Sequence, residues 1–283
     1  MDERNRKNTD NPAEDARETG RVRSVVKALH ILELFSPAQT ELSLSQLSRL
    51  LSMPKSTLLN MLRTLEDEGY LLHLRDTQAY RLGYKALQLG FCMRSSMPVI
   101  QYAIPFMEDL MTKTGETVYL TSHMNGMVLY LDGVYNSRRF GKYSITGKTL
   151  PLHCTGCGKA MLSRMEDEEI RAIIKQHGLV RFTPHTIVDP EALMREVRET
   201  RARGYAIDNE EETPGVRCVA TAILNEKGRP VGAVSIQGTT MSMTDEKIVE
   251  YAPLTASVCA ILSENARLFP AHQLTLGRVV LRA

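Results

Sequence analysis

Polar residues of the kinds that bind nucleic acid are clustered between positions 55 and 75. Hydroxyls and lysine at a helix N-terminus suit phosphates and base edges, whereas Asn pairs with adenine and Arg with guanine or phosphate. An apolar stripe through Leu58, Leu62 and Leu65 would leave these polar residues on the opposite face of one helix. We therefore predict that the residues contacting DNA are Lys55, Ser56, Thr57, Asn60, Arg63 and, from a following turn, Arg75.

A second group of residues could hold an anion. The small residues of Thr155-Gly156-Cys157-Gly158 leave backbone N–H groups open ahead of a helix that we predict from Ala160 to Met165. A helix N-terminus has unpaired donors and a favourable dipole, so a ligand carboxylate would fit there. On these residues alone, a strand-to-helix turn without a ligand is the favoured interpretation.

Polar side chains on neighbouring predicted strands could complete such a site. Ser235 and Gln237 share one face of the segment PVGAVSIQG, although bonds to nearby backbone would explain them equally well. The acidic run 208–212 is by default a solvated loop, but we expect Asp208 and Glu212 to point inward. Donors for a carboxylate and acceptors for hydroxyls would suit a hydroxy acid, a keto acid or a sugar acid.

The segment Cys154-Thr155-Gly156-Cys157 also has the spacing of a zinc-binding or redox pair. A redox- or zinc-responsive protein that uses Cys154, Cys157 and Cys218 is therefore the alternative hypothesis. A structural zinc site needs four ligands, and the sequence contains no second C-x-x-C, so small buried thiols are the simpler explanation. An enzyme is disfavoured because Cys157 is the only plausible nucleophile. We expect no catalytic residue, no metal and no cofactor.

Composition indicates an ordinary cytoplasmic protein with two domains. The chain has 283 residues, of which 43% are hydrophobic and 24% charged, and its net charge of +2 supports nucleic-acid binding only weakly. No apolar run approaches the roughly 18 residues of a membrane span, and the polar first twenty residues do not resemble a signal peptide. Five cysteines without an export signal favour reduced thiols.

The elements that must position the DNA-facing residues predict a winged helix-turn-helix. One helix carries apolar residues at helical spacing from Val22 to Phe35, a second follows a cap at Ser45, and Pro54 begins the third. Two strands then flank a polar tip that contains Arg75, and they run from Tyr70 to Leu74 and from Ala79 to Leu82.

The rest of the chain predicts an α+β domain. A linker helix is expected from Tyr84 to Arg94, and helical periodicity returns at Pro98. Asn125-Gly126 is typical of a two-residue turn between strands, and VRCVATAIL should pair with PVGAVSIQG. Helices predicted from Asp167 to His177, Glu191 to Arg203 and Asp245 to Arg267 would bracket the antiparallel sheet.

Three segments resemble one known family. PKST before a leucine-rich helix, PLHCTGCGKA, and GYAIDNEE followed by GVRCVA occur in the order and spacing of the IclR family of bacterial transcriptional regulators. The resemblance covers about Val22 to Leu268. It implies a winged helix-turn-helix joined by a linker helix to a GAF-like antiparallel-sheet effector-binding domain. It also implies a dimeric or tetrameric regulator, usually a repressor, that binds double-stranded operator DNA and a small carboxylate metabolite.

The resemblance also assigns the effector site. In related regulators the effector lies against the turn before GKA, an Asp after GY, the Cys of the next strand and alternating residues of the strand after that. In this sequence those positions are Thr155, Gly156, Cys157, Asp208, Glu212, Cys218, Ser235 and Gln237. Two residues depart from the usual pattern, since Asn60 replaces a frequent arginine and Gln237 a frequent small residue.

Five segments follow from these predictions. They are a disordered tail over 1–20, the winged helix-turn-helix domain over 21–83, the linker helix over 84–96, the effector-binding domain over 97–268 and a C-terminal tail over 269–283. In this arrangement a dimer would place two recognition helices in successive major grooves of a pseudo-palindromic operator. The linker helix would transmit the effect of the ligand to the DNA-binding domain.

Overall fold

A computed structural model describes residues 22–136 and 145–269 of the chain. The predicted N-terminal tail and residues 270–283 of the predicted C-terminal tail lie outside the described residues. The chain divides into two compact units between Met93 and Arg94. Each unit is described by itself below.

The first unit has the predicted winged helix-turn-helix fold. In chain order its elements are α1 (Arg23–Glu33), β1 (Leu42–Ser43), α2 (Leu44–Leu51), α3 (Lys55–Asp67), β2 (Leu71–Leu74) and β3 (Ala79–Leu82). The three strands form an antiparallel sheet with the order β1-β3-β2. Helix α4 (Tyr84–Ser95) follows, contains the boundary between the units and corresponds to the predicted linker helix.

The helix-turn-helix differs from the prediction at both helix starts. Helix α2 is capped by Ser43, not Ser45, because Ser43 can form a capping box with Gln46. The Ser43 N–H donates to the Gln46 side chain at 2.8 Å, and the Gln46 N–H donates to Ser43 Oγ at 3.3 Å. Pro54 precedes the first helical residue of α3, where we had placed it inside the helix.

A small apolar core fixes the orientation of α3. Leu58 and Leu62 of this helix are fully buried together with Leu47 of α2, Ile31 of α1 and Leu71 of the wing. Burying side chains of this size contributes about 1.5–3 kcal/mol each. The polar face of α3 is therefore held outward.

The second unit is built on a six-stranded antiparallel sheet. Its elements are α5 (Pro98–Thr114), β4 (Thr117–Met124), β5 (Met127–Val134), β6 (Thr149–Pro151), α6 (Gly156–Leu162), α7 (Asp167–His177), α8 (Pro190–Arg203), β7 (Ala206–Asn209), β8 (Val216–Leu224), β9 (Pro230–Thr239) and α9 (Asp245–Glu264). The strand order is β6-β5-β4-β9-β8-β7. Asn125 and Gly126 both have positive φ, 49° and 76°, and join β4 to β5 as predicted.

Side-chain alternation gives this sheet two different faces. Val118, Leu120 and Ile236 lie in the core that also contains residues of α5 and α9. Tyr119 and Ala220 lie in a second core, which contains residues of α6 and α8. We call this second side of the sheet the α6 face.

Two segment ends differ from the sequence analysis. The helix expected from Ala160 to Met165 begins earlier, at Gly156, because the Thr155 side chain accepts a hydrogen bond from the Gly158 N–H at 3.1 Å. Phe269, which we had placed in the C-terminal tail, is 5% exposed and lies in the core with α5 and α9. Within the described parts of the chain, no helix is long and apolar enough to cross a membrane.

Candidate functional site

The six residues predicted to contact DNA all have exposed side chains. Five of them lie on α3, opposite the buried Leu58, Leu62 and Leu65. Arg75 lies in the turn of the wing, where its carbonyl accepts a hydrogen bond from Gln78 Nε2 at 2.7 Å. The acidic residues 66–68 are also exposed, at the far end of α3 from Lys55.

The start of α6 lies directly on the sheet. A Cβ added to Gly156 would stand 2.5 Å from Cys218 Sγ and 3.6 Å from the Asp208 nitrogen. Only glycine therefore allows this approach. Burial raises the pKa of the Cys218 thiol, and the nearby backbone N–H groups of Gly156 and Asp208 act in the opposite direction. The turn predicted to hold an anion is thus in contact with two of the predicted effector residues.

Strand register brings other predicted residues to the same place. Asp208 of β7 is paired with Cys218 of β8, and Cys218 is paired with Gln237 of β9. Paired residues share a face of the sheet, so all three lie on the α6 face. Ser235 lies on this face as well, and its hydroxyl is close enough to the Cys157 thiol to lower its pKa against the larger effect of burial.

The acidic run is arranged differently from the prediction. Asp208 is 5% exposed as expected, and its Oδ1 accepts the Glu211 N–H at 2.9 Å. Glu212, which we expected to point inward, is only partly buried, and its Oε1 is 3.0 Å from Lys148 Nζ. The inward residue is Glu211, which is 4% exposed and directly follows Glu210 in a left-handed conformation with φ of 61°.

Glu211 belongs to a buried ion network that the sequence analysis missed. Lys159 of α6 is 2% exposed, forms an ion pair with Glu211, and its Nζ lies 3.5 Å from Glu196 Oε1. Glu196 also pairs with Arg203 at 2.7 Å. Desolvation opposes the charge of Lys159, but Glu211 and Glu196 outweigh it and raise the lysine's pKa. The network ties α6 and α8 to the acidic loop.

Asp208 has the most unusual electrostatic environment of the predicted residues. Burial raises the pKa of its carboxyl to about 7, and the negative charge of Glu211 adds to this effect. The Glu211 N–H and the more distant Lys159 act in the opposite direction but do not compensate. The site therefore contains a carboxyl group that changes charge near neutral pH.

Two tyrosines that were not predicted lie on the same side of the sheet as the predicted effector residues. Tyr130 belongs to the same core as Cys157 and Ala220. Burial raises the pKa of its hydroxyl, and the nearby Cys157 and Cys218 raise it further. Tyr119 lies next to it, with ring centroids 5.4 Å apart. The alternation of side chains in the β5 segment MVLYLD could have predicted this position of Tyr130. Successive residues of a strand point to opposite faces, so Tyr130 faces away from its two apolar neighbours in the sequence.

The buried thiols do not have the environment of reactive cysteines. Burial raises the pKa of Cys154, Cys157 and Cys218, so all three remain thiols. Burial also lowers the pKa of His153, whose Nε2 is 3.0 Å from the Val180 carbonyl oxygen. Residues 22–136 and 145–269 contain no cluster of His, Cys, Asp and Glu that could hold a metal ion. These observations give the redox and zinc hypothesis no support.

A separate shallow cleft, open to solvent, lies between helix α7 and the segment that joins β6 to α6. Its walls are mostly apolar and include Leu152, Ile173 and Leu179, together with His153 and His177. None of the predicted effector residues lines it. The predicted site is instead a closed set of mostly buried side chains.

Comparison with known proteins identifies both units. Residues 24–74 match the IclR helix-turn-helix domain, and residues 92–263 match the C-terminal domain of the bacterial transcriptional regulator IclR. These two matches together cover most of the described chain. They agree with the segments that carried the resemblance in the sequence.

Full-length relatives agree with the domain matches. The regulator XynR of Escherichia coli is 34% identical over 235 residues, which are 81% of this chain and 91% of XynR. The repressor AllR of Escherichia coli K12 is 30% identical over 93% of this chain and 97% of AllR. The crystal structure of Thermotoga maritima IclR superposes with a TM-score of 0.65 at 31% identity, over 87% of this chain and 99% of that one. These relatives are transcriptional regulators rather than enzymes, and the chain belongs to the IclR family of bacterial DNA-binding transcriptional regulators.

Proposed function

We propose that this protein is a repressor whose affinity for operator DNA is controlled by a small organic acid bound on the α6 face of the second unit. The main support for this proposal is the group of buried polar side chains and N–H groups around Gly156, Cys218 and Asp208. Burying polar groups is unfavourable, so a core that only stabilises the fold would not need them. The active form is a homodimer or homotetramer, because a pseudo-palindromic operator requires two recognition helices.

Helix α3 supplies the DNA contacts in this proposal. Lys55, Ser56 and Thr57 at its start would bind phosphates, whereas Asn60 and Arg63 would reach base edges. Arg75 of the wing would contact the backbone or the minor groove. The exposure of all six side chains and the rigid core beneath α3 support this assignment.

Substitution of Arg63 and Lys55 separates these roles. The variant Arg63→Ala is expected to lose about 1–3 kcal/mol of operator binding free energy, since a bidentate contact to a base is lost. The variant Lys55→Ala should weaken binding to all sequences and reduce the slope of log affinity against log salt by about 1. Both are measured by fluorescence anisotropy on a duplex that the wild-type protein selects from random DNA.

The matched control is Arg198→Ala, which removes an exposed arginine from α8 in the second unit. This variant should bind the selected duplex like the wild type. If Arg63→Ala also binds with unchanged affinity, Arg63 does not contact the operator.

The effector part of the proposal needs a direct ligand test. The buried Asp208, the hydroxyls of Ser235 and Tyr130, and the N–H groups at the start of α6 could hold a carboxylate and accompanying hydroxyls. A thermal-shift screen of hydroxy, keto and sugar acids should find compounds that raise the melting temperature, because such compounds bind only the folded state. A hit should also alter binding to the selected duplex. Intact DNA binding with no response to any acid would contradict the proposed effector control.

A further inference from the structure

One row of side chains crosses four strands of the second unit on the α6 face. Asp208 of β7 is paired with Cys218 of β8, Cys218 with Gln237 of β9, and Gln237 with Thr117 of β4. Because paired residues share a face, Thr117 continues the line of effector residues beyond Gln237. It was not among the residues that the sequence analysis assigned to the site.

Thr117 carries a buried hydroxyl that no described residue satisfies. Its side chain is 0% exposed, and its Oγ1 makes no hydrogen bond with residues 22–136 or 145–269. Such a group is unfavourable in a protein core, since its hydrogen bonds to water have been lost and not replaced. By contrast, the other threonine of β4 on this face is satisfied, since Thr121 Oγ1 donates to the Ala233 carbonyl at 3.1 Å.

Gln237 lies between Thr117 and Cys218 in this row, and its side chain is also available to hydrogen-bond with a ligand. Its side chain is partly buried, and no described residue hydrogen-bonds to its amide. An amide offers both donors and acceptors. Thr117 and Gln237 therefore present two adjacent, uncommitted hydrogen-bonding groups at the end of the row that is remote from Asp208.

The length of this row of side chains limits which ligands could contact both of its ends. Neighbouring strands are separated by about 4.8 Å, so Cys218 and Thr117 are roughly 10 Å apart across two strand spacings. An acid as short as glycolate cannot contact the start of α6 and Thr117 together. A chain that carries hydroxyls along its length can do so.

We propose that Thr117 and Gln237 form a second subsite of the effector site, and that the effector is a polyhydroxy acid whose remote hydroxyls bind there. This inference rests on the proposed effector function, and it selects the sugar acids among the classes that the site could accept. Thr117 and Gln237 then determine specificity, whereas the groups around Gly156 and Cys218 hold the carboxylate end.

The test uses calorimetric titration of the full-length protein with D-gluconate, glycolate and hexanoate. Gluconate is expected to bind at least tenfold more tightly than glycolate or hexanoate, which lack the remote hydroxyls. The variant Thr117→Val should lose at least tenfold in affinity for gluconate but not for glycolate, and Thr117→Ser should restore it. In the absence of acid, Thr117→Val should raise the melting temperature because it removes an unpartnered hydroxyl.

The other outcomes separate this inference from the proposed function. Tighter binding of glycolate than of gluconate, or gluconate binding that Thr117→Val leaves unchanged, would overturn the subsite while effector control stands. Failure of every acid in both this panel and the wider thermal-shift screen would overturn the two together.

Discussion

Replacing Lys159 with methionine is expected to lower the free energy of unfolding of the second unit by about 3–5 kcal/mol, the usual effect of breaking a buried ion pair. Glu211 would remain 4% exposed without its main cation. Glu196 would keep its ion pair with Arg203 at 2.7 Å, so the loss of stability would come mainly from the unpaired charge of Glu211. Urea denaturation followed by circular dichroism measures the change.

A second variant keeps this prediction testable if Lys159→Met does not fold. The double variant Lys159→Met with Glu211→Met removes both charges and should recover most of the lost stability, since buried pairs can be replaced by apolar residues at little cost. The matched control is Lys175→Met, which changes an exposed lysine of α7 and should have an effect within about 0.5 kcal/mol. A loss below 1 kcal/mol for Lys159→Met alone would show that the pair is not essential.

The variant Asp208→Asn is expected to change how stability depends on pH. The folded-state pKa of Asp208, about 7, lies above its ordinary value of 3.8. Between these values the folded protein holds a proton that the unfolded chain has lost, so this group lowers stability as pH rises from about 4 to about 7. The amide variant removes this dependence but can still accept the Glu211 N–H that Asp208 Oδ1 accepts at 2.9 Å.

The difference in free energy of unfolding between the variant and the wild type carries the test. Relative to the wild type, Asp208→Asn should gain roughly 2–4 kcal/mol between pH 4 and pH 8, since each unit of pKa shift corresponds to about 1.4 kcal/mol. Urea denaturation at one-unit pH intervals provides the measurement. A difference that stays constant across this range would mean that the Asp208 carboxyl is already ionised at pH 5.

Much of the fold could be predicted from sequence because it depends on neighbouring residues. The turn at Asn125-Gly126 follows from local backbone chemistry, and it is present. The apolar stripe of α3 likewise fixed which of its residues would be exposed. The start of α6 was predicted four residues too late, because Thr155 is the N-cap of this helix and the prediction did not include it.

The candidate site could be predicted only in part. Gly156, Cys218 and Ser235 were assigned through the family resemblance, and the structure brings them together. In the acidic run, sequence could not distinguish Glu211 from Glu212, because the inward residue is the one that pairs with the remote Lys159. Glu211 is therefore the inward residue that pairs with Lys159, whereas Glu212, expected to point inward, pairs with Lys148.

The sequence by itself determined the elements, the two-domain order and the DNA-facing side of α3, since each depends on spacing within one short segment. Only the tertiary structure decided that Lys159 pairs with a residue 52 positions away and that Thr117 stands in register with Gln237. Strand register and buried ion pairs join segments that are remote along the chain, and they are selected by packing of the whole sheet. The residues that we propose to select the effector were therefore visible only once the strands were paired.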